Sequence, residues 1–125
     1  MEPFDIIKEE IAHNKDIPFT PKEMYAGLIK LCEQPEFRVL RENNTLLVIH
    51  NQGGGLAEIY LITADKPAVF PHNFKEFGKA LRLGGFKHLK YYTNRRAMIR
   101  VLKQLSAKIT ETQFEDGTYL VEIDL

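Results

Sequence analysis

The 125-residue sequence holds one cysteine, Cys32, so it has no intrachain disulfide framework and suits a reducing compartment. A cytoplasmic location is expected on that basis. No apolar run approaches the roughly 18 residues needed to cross a bilayer, so no membrane partner is expected. The opening Met-Glu-Pro-Phe-Asp is acidic and is not followed by an apolar core, unlike a secretory signal. Repeats, low-complexity segments and linkers are absent, and one domain over 1–125 is expected. His13, His72 and His88 have no zinc spacing with Cys32, so no metal is expected. Two local scarcities carry more weight. Residues 64–73 contain no glycine, and residues 75–108 contain one acid, Glu76, against ten lysines and arginines.

Apolar residues make up 44% of the chain and charged residues 27%, enough for a single buried core. Residues 3–13 read as a helix, with Pro3 at its first position and Phe4, Ile7 and Ile11 on one face. Residues 21–33 read as a second, opened by a Thr20/Glu23 capping box. Met24, Leu28 and Leu31 are its expected buried stripe, and Cys32 is expected to be a buried structural thiol. Strands follow at 37–41, 45–50 and 57–63. The first two are joined by an Asn43-Asn44 turn, the last two by Gly53-Gly54-Gly55. That glycine run leads into a strand and not a helix, so it reads as a hairpin and not a phosphate cradle.

A loop with Pro67 and Pro71 precedes a helix over 74–83, for which Asn73 and Glu76 form a predicted capping box and Gly84-Gly85 a stop. A strand at 87–92 leads to a helix at 94–105 capped by Thr93 or Asn94, with Met98, Val101, Leu102 and Leu105 inward. Segments 107–114 and 118–125 form a closing hairpin with a predicted two-residue turn at Asp116-Gly117. The fold class is α/β, an α+β mixed sheet in the order α-α-β-β-β-α-β-α-β-β, organised around residues 57–105.

This order resembles the GNAT family of acyl-CoA N-acyltransferases, with the family's leading strand reduced or absent. Asn94-Arg95-Arg96-Ala97 and the helix after it are similar to the family's Asn-x-x-Ala pattern. The short, glycine-poor form also resembles GNAT-like proteins of tailed bacteriophages, which would place the chain in a host cytoplasm or a virion. The resemblance implies an acetyl-CoA cofactor lying where the strands at 57–63 and 87–92 part. Ile62, Thr63, Lys66, His72, Asn73, Phe74, Asn94 and Arg95 are then the candidate cofactor-binding residues. Glu58 and His50 are candidate bases and Tyr91 and Tyr92 candidate acids. Each has a plainer structural role open to it, as a solvated or packed residue.

The family grips the CoA pyrophosphate with consecutive backbone N–H groups on a glycine-rich loop at a helix start. Residues 64–73 have no glycine, and Pro67 and Pro71 have no N–H to donate. The family's frequent tyrosine acid falls here on Val101 or Leu102, and the glycine ending that helix is Ser106. The first expectation is therefore a GNAT-fold protein with a degenerate acetyl-CoA site, acting by binding a protein partner or as a structural component. The second is an active N-acyltransferase on an amine. The third is a nucleic-acid-binding module using the basic 75–108 surface.

Overall fold

The computed structural model describes residues 1–106 and 108–125. The chain runs α1 (Pro3–His13), α2 (Pro21–Cys32), β1 (Phe37–Glu42), β2 (Thr45–Gly53), β3 (Leu56–Thr63), a 3-10 turn (Pro67–Val69), α3 (Phe70–Leu83), β4 (His88–Thr93), α4 (Arg96–Leu102), β5 (Lys108–Gln113) and β6 (Tyr119–Asp124). The strands form one six-stranded sheet ordered β1-β2-β3-β4-β6-β5. Only β3 and β4 pair in parallel; every other neighbouring pair is antiparallel.

Strand β2 explains the layering. Its first five residues are all buried, so both faces of the sheet are covered there. Leu46 and Val48 pack with Ile6 and Ile7 of α1 and with Met24 and Leu28 of α2. Leu47 and Ile49 pack on the other face, with Phe74 and Phe77 of α3 and Ile99 and Leu102 of α4. The period-two alternation of the strand sorts these side chains into two cores. One helix pair lies on each face.

Several local expectations hold. Thr20 Oγ1 accepts the Glu23 N–H at 3.2 Å, and Glu23 returns a bond to the Thr20 N–H at 3.0 Å. These bonds hold the Glu23 carboxyl below its ordinary range. Asn43 adopts a positive φ of 49° in the β1–β2 turn, and Gly85 supplies the left-handed stop after α3 at 86°.

Others are corrected. Asn73 and Glu76 do not cap α3, which begins at Phe70; Asn73 is fully buried inside the helix and Glu76 pairs with Lys79 at 3.3 Å. The 3-10 turn lets the chain enter the helix early, and Phe70 is pulled into the core. Helix α4 is shorter than the apolar pattern implied. Its cap position is Arg95, whose N–H is held by Thr93 Oγ1 at 3.0 Å. Helix α2 has no fully buried residue; Leu31 and Cys32 are exposed because the helix lies at the rim of the sheet. The last hairpin turns through Glu115-Asp116-Gly117, closed by Phe114 N–H to Thr118 C=O at 2.8 Å, with Gly117 at φ 88°. Ala107 lies outside the described residues. Among the described residues no helix is long and apolar enough to cross a membrane.

Candidate functional site: the cleft where two strands part

Strands β3 and β4 pair only through Leu56–His88, Ala57–Leu89 and Glu58–Lys90. Beyond that point β3 stays with β2 as far as Thr63, and β4 stays with β6 as far as Thr93. The two halves of the sheet therefore open like a V. The opening leads into a cleft of about 880 Å³ on the α1/α2 face. Its walls are Tyr60, Leu61 and Ile62 on one side and Tyr91 to Arg95 on the other. Ile17 and Phe19 of the α1–α2 connection and Met24, Leu28 and Leu31 of α2 close it. The lining is mostly apolar; its ionisable groups besides the tyrosines are Glu10, Glu23 and Arg95.

Alternation along β3 puts Glu58, Tyr60 and Ile62 on the cleft side. Burial and the neighbouring Glu58 carboxylate push the Tyr60 hydroxyl up to about 12, because both disfavour a phenolate. Tyr91 reaches about 12 chiefly through burial. Both hydroxyls stay protonated through neutral pH and can donate. Tyr92 is exposed on the cleft wall, whereas Tyr91 turns mainly into the α3/α4 core. Glu58 is half-buried and accepts a 3.1 Å bond from Gln52 Nε2. His50 sits directly across from Glu58 in the β2–β3 ladder, but its ring stacks on Phe37 at 4.3 Å and 5°. Of the four proposed acid and base residues, the fold thus brings Glu58 and Tyr92 to the cleft side, keeps one edge of Tyr91 on the cleft, and leaves His50 packed beyond it.

The proposed cofactor residues divide. Asn94 and Arg95 line the cleft, one tied to the segment after α1 and the other to α1. Asn94 Nδ2 donates to Asp16 Oδ2 at 2.7 Å, and Arg95 donates to Glu10 Oε1 at 3.2 Å. Glu10 is buried, and burial raises its pKa against the lowering pull of Arg95. Ile62 lies beneath α1. The others gather around the start of α3, away from the cleft. Lys66 and His72 are exposed, His72 standing 3.7 Å from Glu42. Phe74 is core.

Asn73 and Thr63 belong to a buried polar knot. Asp65 Oδ2 accepts from the Asn44 N–H at 3.0 Å, from Thr45 Oγ1 at 2.8 Å and from Asn73 Nδ2 at 2.9 Å. Asn73 also donates to Thr45 Oγ1 and accepts from Asn43, and Thr45 and Thr63 share a 2.7 Å bond. A carboxylate of the chain itself thus bonds the side chain of Asn73, the fourth residue of α3.

Sequence reasoning missed Tyr60, Glu10 and Asp65. Tyr60 was recoverable, being two residues from Glu58 in a strand. Glu10 carried a fainter signal, an acid three residues after Ile7 on an apolar helix face. Asp65 had none, since its donors come from residues 43–45 and 73. Among the described residues no three histidine, cysteine or acidic side chains are grouped to hold a metal.

No protein-family model matches the chain. No curated protein matches it either. Solved structures do. The ribosomal-protein-S18-alanine N-acetyltransferase from Escherichia coli superposes with a TM-score of 0.66 at 10% identity, over 97% of this chain and 86% of that one. An acetyltransferase of the GNAT family from Streptococcus pneumoniae gives 0.58 at 15% identity, over 100% and 96%. The GNAT domain of S. lividans PAT gives 0.52 at 20% identity over 67% of this chain, and the match spans 55% of that domain. With the parted strands and the helix pair on each face, these likenesses show that the chain has the fold of the GNAT acetyltransferases.

Proposed function

We propose that this is an N-acetyltransferase-like protein whose acetyl-CoA phosphate site is degenerate, and that it acts by binding through the cleft between β3 and β4. One observation carries this reading. The segment between β3 and α3, where the fold would cradle a pyrophosphate, is filled from within. Phe70 turns into the core, Pro67 and Pro71 offer no N–H, and the Asp65 carboxylate takes three donors from Asn44, Thr45 and Asn73 beside the first turns of α3. A second anion would meet like charge there. The cleft itself does not reach residues 63–76. The residues present do not fit the CoA phosphates. A place in a phage particle or at a host partner rests on the short, glycine-poor form alone.

Calorimetric titration with acetyl-CoA and CoA tests the reading. The expected result is a Kd weaker than about 1 mM, or about −4 kcal/mol; a Kd near 1 μM, about −8 kcal/mol, overturns it.

The competing reading is acyl transfer to an amine. It draws support from Glu58 and Tyr92 both standing next to Tyr60 where the sheet parts, a carboxylate base beside two hydroxyls. Acetyl transfer to an amine panel, lost in Glu58→Gln, would establish it in place of the binding reading.

A further inference from the structure

The ten cations of residues 75–108 do not share one surface. Lys90 stands opposite Glu58 and Glu122 in the sheet ladder and Lys108 opposite Asp124, Arg95 pairs with Glu10, and Lys87 lies in the segment between α3 and β4. What remains is ordered. Helix α3 carries Lys75, Lys79 and Arg82, and α4 with its cap residue carries Arg96, Arg100 and Lys103. Both sets have the spacing i, i+4, i+7. At about 100° per residue, each set falls within about 60° of arc and roughly 120–130° away from its helix's core side chains. Each stripe is about 10 Å long.

The two stripes are neighbours. Gly78 of α3 faces Leu105, just past α4, and Arg82 donates to the Leu105 carbonyl at 3.0 Å. The α3 stripe lies on that same side of its helix. All six cations are exposed. Among the described residues Lys75, Arg96, Arg100 and Lys103 form no ion pair, and Glu76 is the one acid on either helix. Arg96 also stands in the first turn of α4, where the helix dipole disfavours a cation, so helix stability does not account for it. The chain's net charge is zero, so this concentration is local and not a general basicity.

We infer that the α3–α4 face binds the phosphate backbone of a nucleic acid. Two adjacent rows of regularly repeated cations, half of them arginines able to grip phosphate with two N–H groups, match a regularly repeated anion. The face presents no exposed aromatic row for stacking: the phenylalanines of α3 point into the core. Binding is therefore electrostatic and indifferent to base sequence. This surface lies on the opposite side of the sheet from the cleft of the proposed function, and the two stand or fall separately.

Fluorescence anisotropy with a short labelled duplex and a single strand of matched length tests the inference. Neutralising up to six phosphates gives a slope of log K against log salt of about −5, a loss of roughly a thousandfold between about 50 and 200 mM salt. The triple variant R96E/R100E/K103E should abolish binding at low salt while circular dichroism stays unchanged. The charge-matched control K8E/K22E/K30E, on exposed positions of α1 and α2, should bind within a few-fold of the parent. No binding at low salt, a flat salt dependence, or equal loss in both variants overturns the inference. So does equal binding to polyglutamate, which would assign the face to an acidic protein.

Discussion

Asn73 separates two physical accounts of how α3 begins. As a helix cap it would be exposed and interchangeable with aspartate, with Asn→Asp changing stability by a few tenths of a kcal/mol and Asn→Ala costing about 1 kcal/mol. In the folded protein it is fully buried and makes three side-chain bonds, to Asn43, Thr45 and Asp65. The two bonds between neutral groups contribute about 1 kcal/mol each, and the bond to the Asp65 carboxylate about 1.5–3. Asn73→Ala leaves Asp65 two other donors, so no charge is orphaned, and the expected loss is about 3 kcal/mol. With a urea m-value of about 1.5 kcal/mol/M, the unfolding midpoint falls by about 2 M. Asn73→Asp places a second carboxylate 2.9 Å from Asp65 Oδ2 and should cost more than alanine. Its penalty should shrink as pH falls and the carboxyl pair takes up a proton. Urea unfolding followed by circular dichroism reads all of this. If N73D matches the parent, or if N73A loses less than about 1 kcal/mol, Asn73 is a cap and the buried knot is not what seats α3.

Glu10 gives a pH prediction. Its folded pKa is raised, chiefly by burial, so the folded state binds the proton more tightly than the unfolded state. Its contribution is therefore full below the ordinary carboxylate pKa and is lost as pH rises through the folded value. Glu10→Gln keeps an acceptor for Arg95 without the buried charge. Its melting temperature relative to the parent should rise from acid to neutral pH, and a difference that falls over that span would refute the assignment. Leu102 and Leu31 contrast the core with the cleft rim. Leu102→Ala, at a fully buried site, should cost about 2–5 kcal/mol, whereas Leu31→Ala, at 37% exposure, should cost under about 1 kcal/mol in the same urea assay.

The elements whose signals are local were legible. Thr20 and Glu23 are three residues apart, and their reciprocal bonds need nothing from elsewhere. The β2 run from Thr45 to Ile49 announced a strand covered on both faces, and it is. The Gly85 stop likewise follows from what glycine alone tolerates. The start of α3 was misread because Asn73 and Glu76 have the spacing of a capping box. A capping box is worth about 1 kcal/mol, and burying Phe70 together with three hydrogen bonds to Asn73 outweighs it. Helix α2 was expected to bury a stripe, but amphipathicity gives a helix an apolar side without giving that side a neighbour. Here part of it faces an open cleft.

The sequence by itself determined the order of elements, the mixed sheet and the missing glycines between β3 and α3, because each depends on residues a few positions apart. Tertiary structure decided the rest. Contacts such as Glu10 to Arg95, Asp16 to Asn94 and Asp65 to Thr45 join residues 20 to 85 positions apart. Whether a titratable side chain faces water, a cleft or a partner depends on where a distant segment packs, and no local periodicity encodes that distance. Such long-range placement set Tyr60 and Tyr92 near each other on the cleft side, bonded Asp65 to Asn73 of α3, and gathered six cations of the basic stretch into two stripes.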